Sequence, residues 1–283
     1  MSIFENLKEP YFIGEIGINH NGDLQLAKKL IDAVFACNWH CAKFQKRNPD
    51  VAVPEAQKGV MRDTPWGRMT YLEYKYRVEF GKEQYDYIDK YSKDKPVDWS
   101  ASVWDMDSLE FLMKYDLPFI KVPSAMMTND KLLIETARTK VPLVMSTGMS
   151  SLEEVDKAVN LVLKNGVKPV LMHTNSSYPT PRNELNLKLI PFYAERYGLT
   201  IGYSGHEPDV EPTVFAITLG AKVIERHITL DHSMWGTDHH ASLEVVGMDM
   251  LKKRSKDIDV MWGSTDKVVT KSEVAMRAKL RGS

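Results

Sequence analysis

Between Thr200 and Ser242 the chain reads T-I-G-Y-S-G-H-E-P-D, an apolar segment, then K-V-I-E-R-H-I-T-L-D-H-S-M-W-G-T-D-H-H-A-S. His206 closes one apolar run and His227 sits late in the next, and the pattern predicts strand, helix, strand. Side chains two apart on a strand share a face, which groups Ser204 with His206 and Glu225 with His227. If the strands are parallel neighbours, both imidazoles converge at one end of a sheet, where such folds place their chemistry. The plainer alternative makes each histidine a satisfied core residue. Asp231 and Asp238 follow shortly after, and imidazole with carboxylate suits a divalent metal.

Further polar residues fall at or near the ends of other apolar runs. Glu15 lies inside Y-F-I-G-E-I-G-I-N-H, with Asn19 and His20 closing it, and Lys43 shares a face with Gln45 in H-C-A-K-F-Q-K. Later runs bring Ser102, Lys121 with Ser124, Ser146, and Asn175 and Ser176 with Tyr178. A lysine inside a short apolar strand is costly to bury unless an anion or a carboxylate pairs with it. Two such lysines among several hydroxyls describe a pocket for a small, multiply charged anion. An internal ion pair with Glu15 or Glu225 is the alternative for the lysines, and a turn position is the alternative for any single serine.

The elements that would carry these residues alternate. The first strand leads through an N-H-N-G-D turn to a helix in which Leu24, Ala27, Ile31 and Val34 form one apolar stripe. After H-C-A-K-F-Q-K, residues 47–80 break the rhythm with Pro49, Pro54, Pro65 and Gly67, an excursion expected to end in a short docked helix. Helices are then expected over about 82–95, 106–115, 129–140, 151–162, 187–197, 211–220 and 247–262. They alternate with the strands V-D-W-S-A-S-V-W, P-F-I-K-V-P-S, P-L-V-M-S-T-G, P-V-L-M-H-T-N and the two around His206 and His227. Ser151 and Glu154 make a capping box for the helix carrying Leu152, Val155, Val159 and Val162. Eight strand–helix pairs predict a parallel sheet closed into a (β/α)8 TIM barrel over residues 1–264, with a doubly wound open sheet as runner-up. No G-x-G-x-x-G or G-x-x-x-x-G-K-[ST] loop follows a strand, which counts against a nucleotide-binding sheet. Residues 265–283 are polar and read as a tail or linker.

Composition narrows the class. The 283 residues suffice for a sizeable core, and 37 basic against 38 acidic residues argue against a nucleic-acid or polybasic membrane surface. Cys37 and Cys41, the two cysteines, read as free buried thiols in a reducing compartment. With no signal-peptide pattern and no apolar run of about 18 residues, a cytoplasmic location is expected.

In order, I-G-E-I-G-I-N-H-N-G, K-F-Q-K, I-K-V-P-S, S-T-G-M-S, Y-P-T-P, G-Y-S-G-H and E-R-H-I-T-L-D with G-T-D-H resemble the N-acetylneuraminate (sialic acid) synthase family over about residues 11–264. The ordered set is specific where any single motif is weak. The resemblance implies a TIM barrel that condenses phosphoenolpyruvate with N-acetylmannosamine or a related amino sugar, releasing phosphate. It also implies a divalent metal, usually manganese, with magnesium or cobalt as alternatives. On this likeness His206 and His227 match the metal-binding histidines. Lys43, Ser102, Lys121, Ser124, Ser146, Ser176 and Ser204 match positions that hold phosphoenolpyruvate, with Ser176 where asparagine is usual and Ser102 where threonine is. Gln45, Tyr178 and Asp238 match positions contacting the sugar, and Glu15 matches a glutamate near the reacting carbons. Glu15 or Asp238 would take the proton of the attacking water.

The chain departs from that pattern in three places. Met126 stands where a glutamate usually contacts the sugar, and a thioether accepts no strong hydrogen bond. Gly205 replaces the acidic residue usual before the first metal histidine. The family usually continues into an antifreeze-like domain, which would begin where K-L-R-G-S ends this sequence. The expectation is a short protein with a more open sugar site, or that domain on another chain; the family's habit implies a homodimer. A synthase for a different sugar acid, and a non-catalytic phosphoenolpyruvate- or sugar-binding barrel needing a partner lid, are the competing functions.

Overall fold

A computed structural model describes residues 2–282. Eight parallel strands close into a barrel: β1 (Tyr11–Gly17), β2 (Cys41–Lys46), β3 (Asp98–Val103), β4 (Ile120–Val122), β5 (Leu143–Ser146), β6 (Val170–Thr174), β7 (Ile201–Gly205) and β8 (Val223–His227). Each pairs with its sequence neighbours, and β8 pairs with β1 to close the ring. The open-sheet alternative is thereby excluded. The barrel helices are α1 (Leu24–Ala36), α2 (Lys82–Asp94), α3 (Met106–Leu112), α4 (Asp130–Arg138), α5 (Leu152–Lys164), α6 (Leu189–Tyr197), α7 (Glu211–Thr218) and α8 (Val245–Trp262). No helix among the described residues is long and apolar enough to cross a membrane.

The two-residue period of the strands explains how this barrel makes a site. Outward residues such as Phe12, Ala42, Phe44, Leu171, Tyr203 and Ile224 pack against the helices. Inward residues change character along each strand. Ile13, Cys41, Val144, Val170, Met172 and Val223 form an apolar plug at the N-terminal end, closed from below by Phe4 and Phe119. Two or four residues further on, the same inward faces carry Glu15, Lys43, Gln45, Ser146, Thr174, Glu225 and His227. Polar groups are thus concentrated at the C-terminal mouth, above a dry floor.

Local signals place the helices. Asp23 caps α1 by accepting from the Gln25 and Leu26 N–H groups, and Ser151 and Glu154 form the expected reciprocal box at the start of α5. The α5 stripe is Val155, Ala158, Val159 and Val162; Leu152, expected in it, is exposed because it sits in the first turn. Both cysteines are free and buried.

The excursion is richer than expected. Short helices at Pro49–Ala52 and Glu55–Lys58 precede an antiparallel hairpin, Met61–Thr64 with Gly67–Thr70, and the docked helix Tyr71–Val78. Pro65 and Trp66 form the turn, and Gly67 takes the positive φ that lets the chain reverse. Trp66 and Tyr74 pack edge-on against Trp235 from the loop after β8, so the excursion braces that loop beside the mouth. The tail, expected as a linker, holds a helix at Lys271–Arg281, and every described residue from 259 onward is exposed.

Candidate active site

The residues to which the family resemblance gives a role, except Asp238, line one cavity of about 290 Å³ at the C-terminal mouth, whereas Asn19, His20 and Asn175 do not. Lys43 and Lys121, from β2 and β4, are 1% and 2% exposed, respectively, so each needs a counter-charge. The ion-pair reading holds, and both lysines line the cavity with their carboxylate partners. Lys43 Nζ lies 2.5 Å from Glu15 Oε2 and donates to Ser102 Oγ at 2.8 Å. Lys121 Nζ donates to both oxygens of Glu225, at 2.9 and 2.8 Å, and Ser204 Oγ donates to Glu225 Oε1 at 3.3 Å. Burial alone would raise the Glu225 carboxyl, but Lys121 and then Lys43 outweigh it and hold it down at about 2. Glu225 is therefore a full anion shared by two cations. It was foreseen only as a possible lysine partner and as a neighbour of His227 on one face; its central place depends on β8 lying across the barrel from β4.

The hydroxyls converge beside the lysines. Gly148 N–H donates to Ser124 Oγ at 3.1 Å, and a Cβ at position 148 would come within 2.2 Å of Ser176 Oγ and 2.7 Å of Ser124 Oγ. Glycine there lets two hydroxyls and a backbone N–H share one concavity, a feature hidden in the sequence as the G of S-T-G-M-S. Thr174, unforeseen as a lining residue, donates to Ser146 Oγ at 3.2 Å. On the other wall Gln45 Nε2 donates to Glu15 Oε1 at 2.9 Å, and Arg47 donates to Gln45 Oε1.

The two imidazoles meet as β7 and β8 predict, with ring centroids 5.4 Å apart. His206 Nδ1 lies 2.5 Å from the Asn175 carbonyl oxygen, a contact that requires the proton on Nδ1 and leaves Nε2 with its lone pair. Burial, then His227, pushes the His206 imidazolium down to about 3, so the ring is neutral at ordinary pH. His227 Nδ1 is buried without a hydrogen-bond partner and lies 3.9 Å from Asp238 Oδ2. Tyr178 stacks over His206 at 4.0 Å. Asp231 stays out of the site; exposed, it accepts from the Ser233 N–H at 2.7 Å.

Asp238 lines an outer cleft continuous with the cavity through Gln45, Trp104, Ala125 and Tyr178. Burial works against its carboxylate, but His227 and then Thr237 hold it below its ordinary range. Met126 lies in this cleft, as do Arg47 and Lys75 from the excursion, which the sequence reading left without a role.

Gly205 also finds its reason here. A Cβ at 205 would fall within 2.6 Å of both carboxylate oxygens of Glu207, a residue 0% exposed. Glu207 pairs with Arg226 Nη1 at 3.2 Å behind the two strands, so an acidic group does flank His206, from its far side.

Comparison with known proteins agrees with this fold. The chain is 41% identical over 238 residues to an N-acetylneuraminate-9-phosphate synthase of Drosophila melanogaster, covering 83% of this chain and 64% of that protein. It is 33% identical to an N,N'-diacetyllegionaminic acid synthase of Campylobacter jejuni, over 94% of this chain and 81% of that one. The solved N-acetylneuraminic acid (sialic acid) synthetase of Leptospira borgpetersenii, crystallised with citrate, superposes with a TM-score of 0.85 at 27% identity, covering 98% of this chain and 94% of that chain. The NeuB family profile matches residues 30–267, and the chain belongs to that family.

Proposed function

We propose that the chain is a nonulosonic acid synthase that condenses phosphoenolpyruvate with an open-chain amino sugar, releasing phosphate. The observation that carries this reading is the single cavity in which two buried lysines, a cluster of hydroxyls and two imidazoles face one another. Phosphoenolpyruvate carries a carboxylate and a phosphate, and the lysines with Ser124, Ser176 and the Gly148 N–H supply donors for both. The Glu15 and Glu225 carboxylates neutralise the lysines until the substrate arrives.

The reaction forms a bond from C3 of phosphoenolpyruvate to the aldehyde carbon of the sugar. The aldehyde oxygen gains a proton and water adds at C2 and loses one; the C2 hydroxyl then becomes the keto carbonyl as the C2–O bond to phosphate breaks, and its proton passes to the departing phosphate. Lys43 and Lys121 stabilise the charge gathered on the leaving phosphate. Glu15, bound to Lys43 and Gln45, sits at the inner end to receive the proton of the adding water. Asp238 lies at the sugar end.

His206 and His227 suit a divalent ion such as Mn2+: His206 keeps Nε2 free, and His227 has a buried nitrogen without a partner. Among the described residues no three His, Cys, Asp or Glu groups enclose such an ion, which fits an open site completed by water and substrate. When bound, the ion supplies Lewis-acid polarisation of a carbonyl oxygen.

Phosphate release from phosphoenolpyruvate should require both an amino sugar and a divalent metal, and should stop on chelation. Release with N-acetylmannosamine supports the sialic acid form. Release only with another amino sugar supports the second reading, a different sugar-acid synthase, which the thioether of Met126 in the outer cleft favours. No release with any amino sugar, although phosphoenolpyruvate protects the fold against heat, would favour a binding barrel. Gly148→Ala should raise the KM for phosphoenolpyruvate by about tenfold or more, since its methyl displaces Ser124 and Ser176; steady-state kinetics read this directly.

A further inference from the structure

Lys43, Gln45 and Arg47 follow one another at spacing two, so they climb one wall of the barrel from the reaction cavity to the outer cleft. The chain is pinned as it leaves β2. Tyr85 donates to the Gln45 carbonyl at 3.0 Å, the Arg47 N–H donates to Glu79 at 3.0 Å, and the Asn48 N–H donates to Asp105 at 2.7 Å. Arg47 is 5% exposed, with its guanidinium over Trp104 at 4.7 Å. Its Nε lies 3.7 Å from Glu79, which Lys46 already engages at 2.7 Å. Lys75 and Asp238, of opposite sign, line the same cleft. Among the described residues, however, the side-chain hydrogen bond of the guanidinium goes inward, to Gln45 Oε1.

That contact decides which way the Gln45 amide faces. With Oε1 held by a cation, Nε2 is turned toward Glu15 Oε1, to which it donates at 2.9 Å; the other oxygen of Glu15 lies 2.5 Å from Lys43. Reversed, the amide would set its oxygen against the carboxylate and its NH2 against the guanidinium, opposing like partial charges at both ends. In the observed orientation both hydrogen bonds are charge-assisted, and each polarises the amide in favour of the other. The backbone leaves room for this arrangement. Gly17 has a φ of +55°, and a Cβ there would come within 3.2 Å of Gln45 Nε2, 3.3 Å of Glu15 Oε1 and 3.3 Å of His227 Cε1.

We infer that Arg47 is a positioning residue for the reaction: through the Gln45 amide it fixes the carboxylate of Glu15. The inference rests on the synthase reading for the role of Glu15. In that reading the carboxylate receives the proton of the water adding at C2, and a reacting group displaced by about 1 Å costs on the order of 100-fold in rate. Lys43 secures one oxygen of Glu15, and the chain from Arg47 through Gln45 secures the other. With that chain broken, the carboxylate is free to turn about its contact with Lys43.

The test is a double-mutant cycle on phosphate release with both substrates saturating. Arg47→Met should lower kcat by about 10- to 100-fold while the KM for phosphoenolpyruvate changes by less than about threefold. In a Gln45→Met background, which has already lost the amide, the same Arg47→Met change should lower kcat by less than about twofold. A guanidinium that only braces Trp104 and Glu79 would instead cost the same factor in both backgrounds. Wild-type kcat in a folded Arg47→Met protein, an equal factor in the two backgrounds, or a loss confined to KM would overturn the inference and leave the synthase reading in place. If Arg47→Met does not fold, Arg47→Lys keeps a cation beside Glu79 without the planar fork that holds the amide, and the same cycle decides. No phosphate release by the wild type with any amino sugar would sink the synthase reading, and the inference with it.

Discussion

Replacing Lys121 with methionine should lower kcat/KM for phosphoenolpyruvate by about a thousandfold or more in the phosphate-release assay. The ammonium is 2% exposed, has Glu225 as its carboxylate partner, and faces the cavity from a strand, so neither water nor a neighbouring side chain takes its place. A fixed cation in a water-excluded site acts on developing charge without prior rearrangement, and one such donor contributes about 10²–10³-fold to kcat. Loss of substrate binding adds to this. Methionine also leaves Glu225 with Ser204 at 3.3 Å and Lys43 at 3.6 Å as its remaining partners, so stability should fall as well. Lys121→Met with Glu225→Gln separates the two effects: the double variant should recover much of the stability and none of the activity. Arginine should not rescue, because its planar fork is too large for a position packed against both oxygens of Glu225. A loss below tenfold in a folded Lys121→Met protein would remove the lysine from the reaction.

The barrel was legible in the sequence because its two signals are local. Alternation of strand and helix needs only apolar periodicity, and the inward polar residues of β2, β7 and β8 announce themselves at spacing two. The pairs Ser204 with His206 and Glu225 with His227 therefore landed together in one cavity. What escaped depends on distances around the ring or on backbone space. Glu225 meets Lys121 across the barrel, a separation of 104 residues that no periodicity encodes. Gly148 and Gly205 looked like turn residues or departures, yet each leaves room for particular side-chain oxygens. The hairpin of the excursion was missed because four-residue strands with exposed, charged positions carry little alternation, and only the P-W-G turn marks them. Lys75 was hidden within Y-L-E-Y-K-Y-R-V, where its charge reads as a solvated helix face; Tyr71, Tyr74 and the cleft bury it instead.

Arg226→Met should cost about 3–5 kcal/mol of unfolding free energy, read as a lower urea midpoint. Arg226 and Glu207 are both 0% exposed and form an ion pair behind β7 and β8. The guanidinium also donates to the Glu207 and Asp209 carbonyls and, at 2.9 Å, to Thr213 Oγ1. Glu207 in turn accepts from Tyr203 at 3.0 Å and Thr213 at 3.2 Å. Both terminal nitrogens of the guanidinium and both oxygens of the carboxylate find partners within the network, and removing the cation strands a buried carboxylate and two backbone oxygens. Arg226→Met with Glu207→Met should recover a large part of the loss, because removing both charges costs less than orphaning one. Catalysis should respond differently from stability. Glu207 follows His206 and Arg226 precedes His227 in the chain, so the pair holds the loop of one histidine against the strand of the other. The double variant, stable but without that tie, should therefore remain well below wild type in kcat. A single variant that unfolds within about 1 kcal/mol of wild type would show that water or relaxation reaches Glu207. A double variant with wild-type kcat would show that the histidines are held by their own contacts alone.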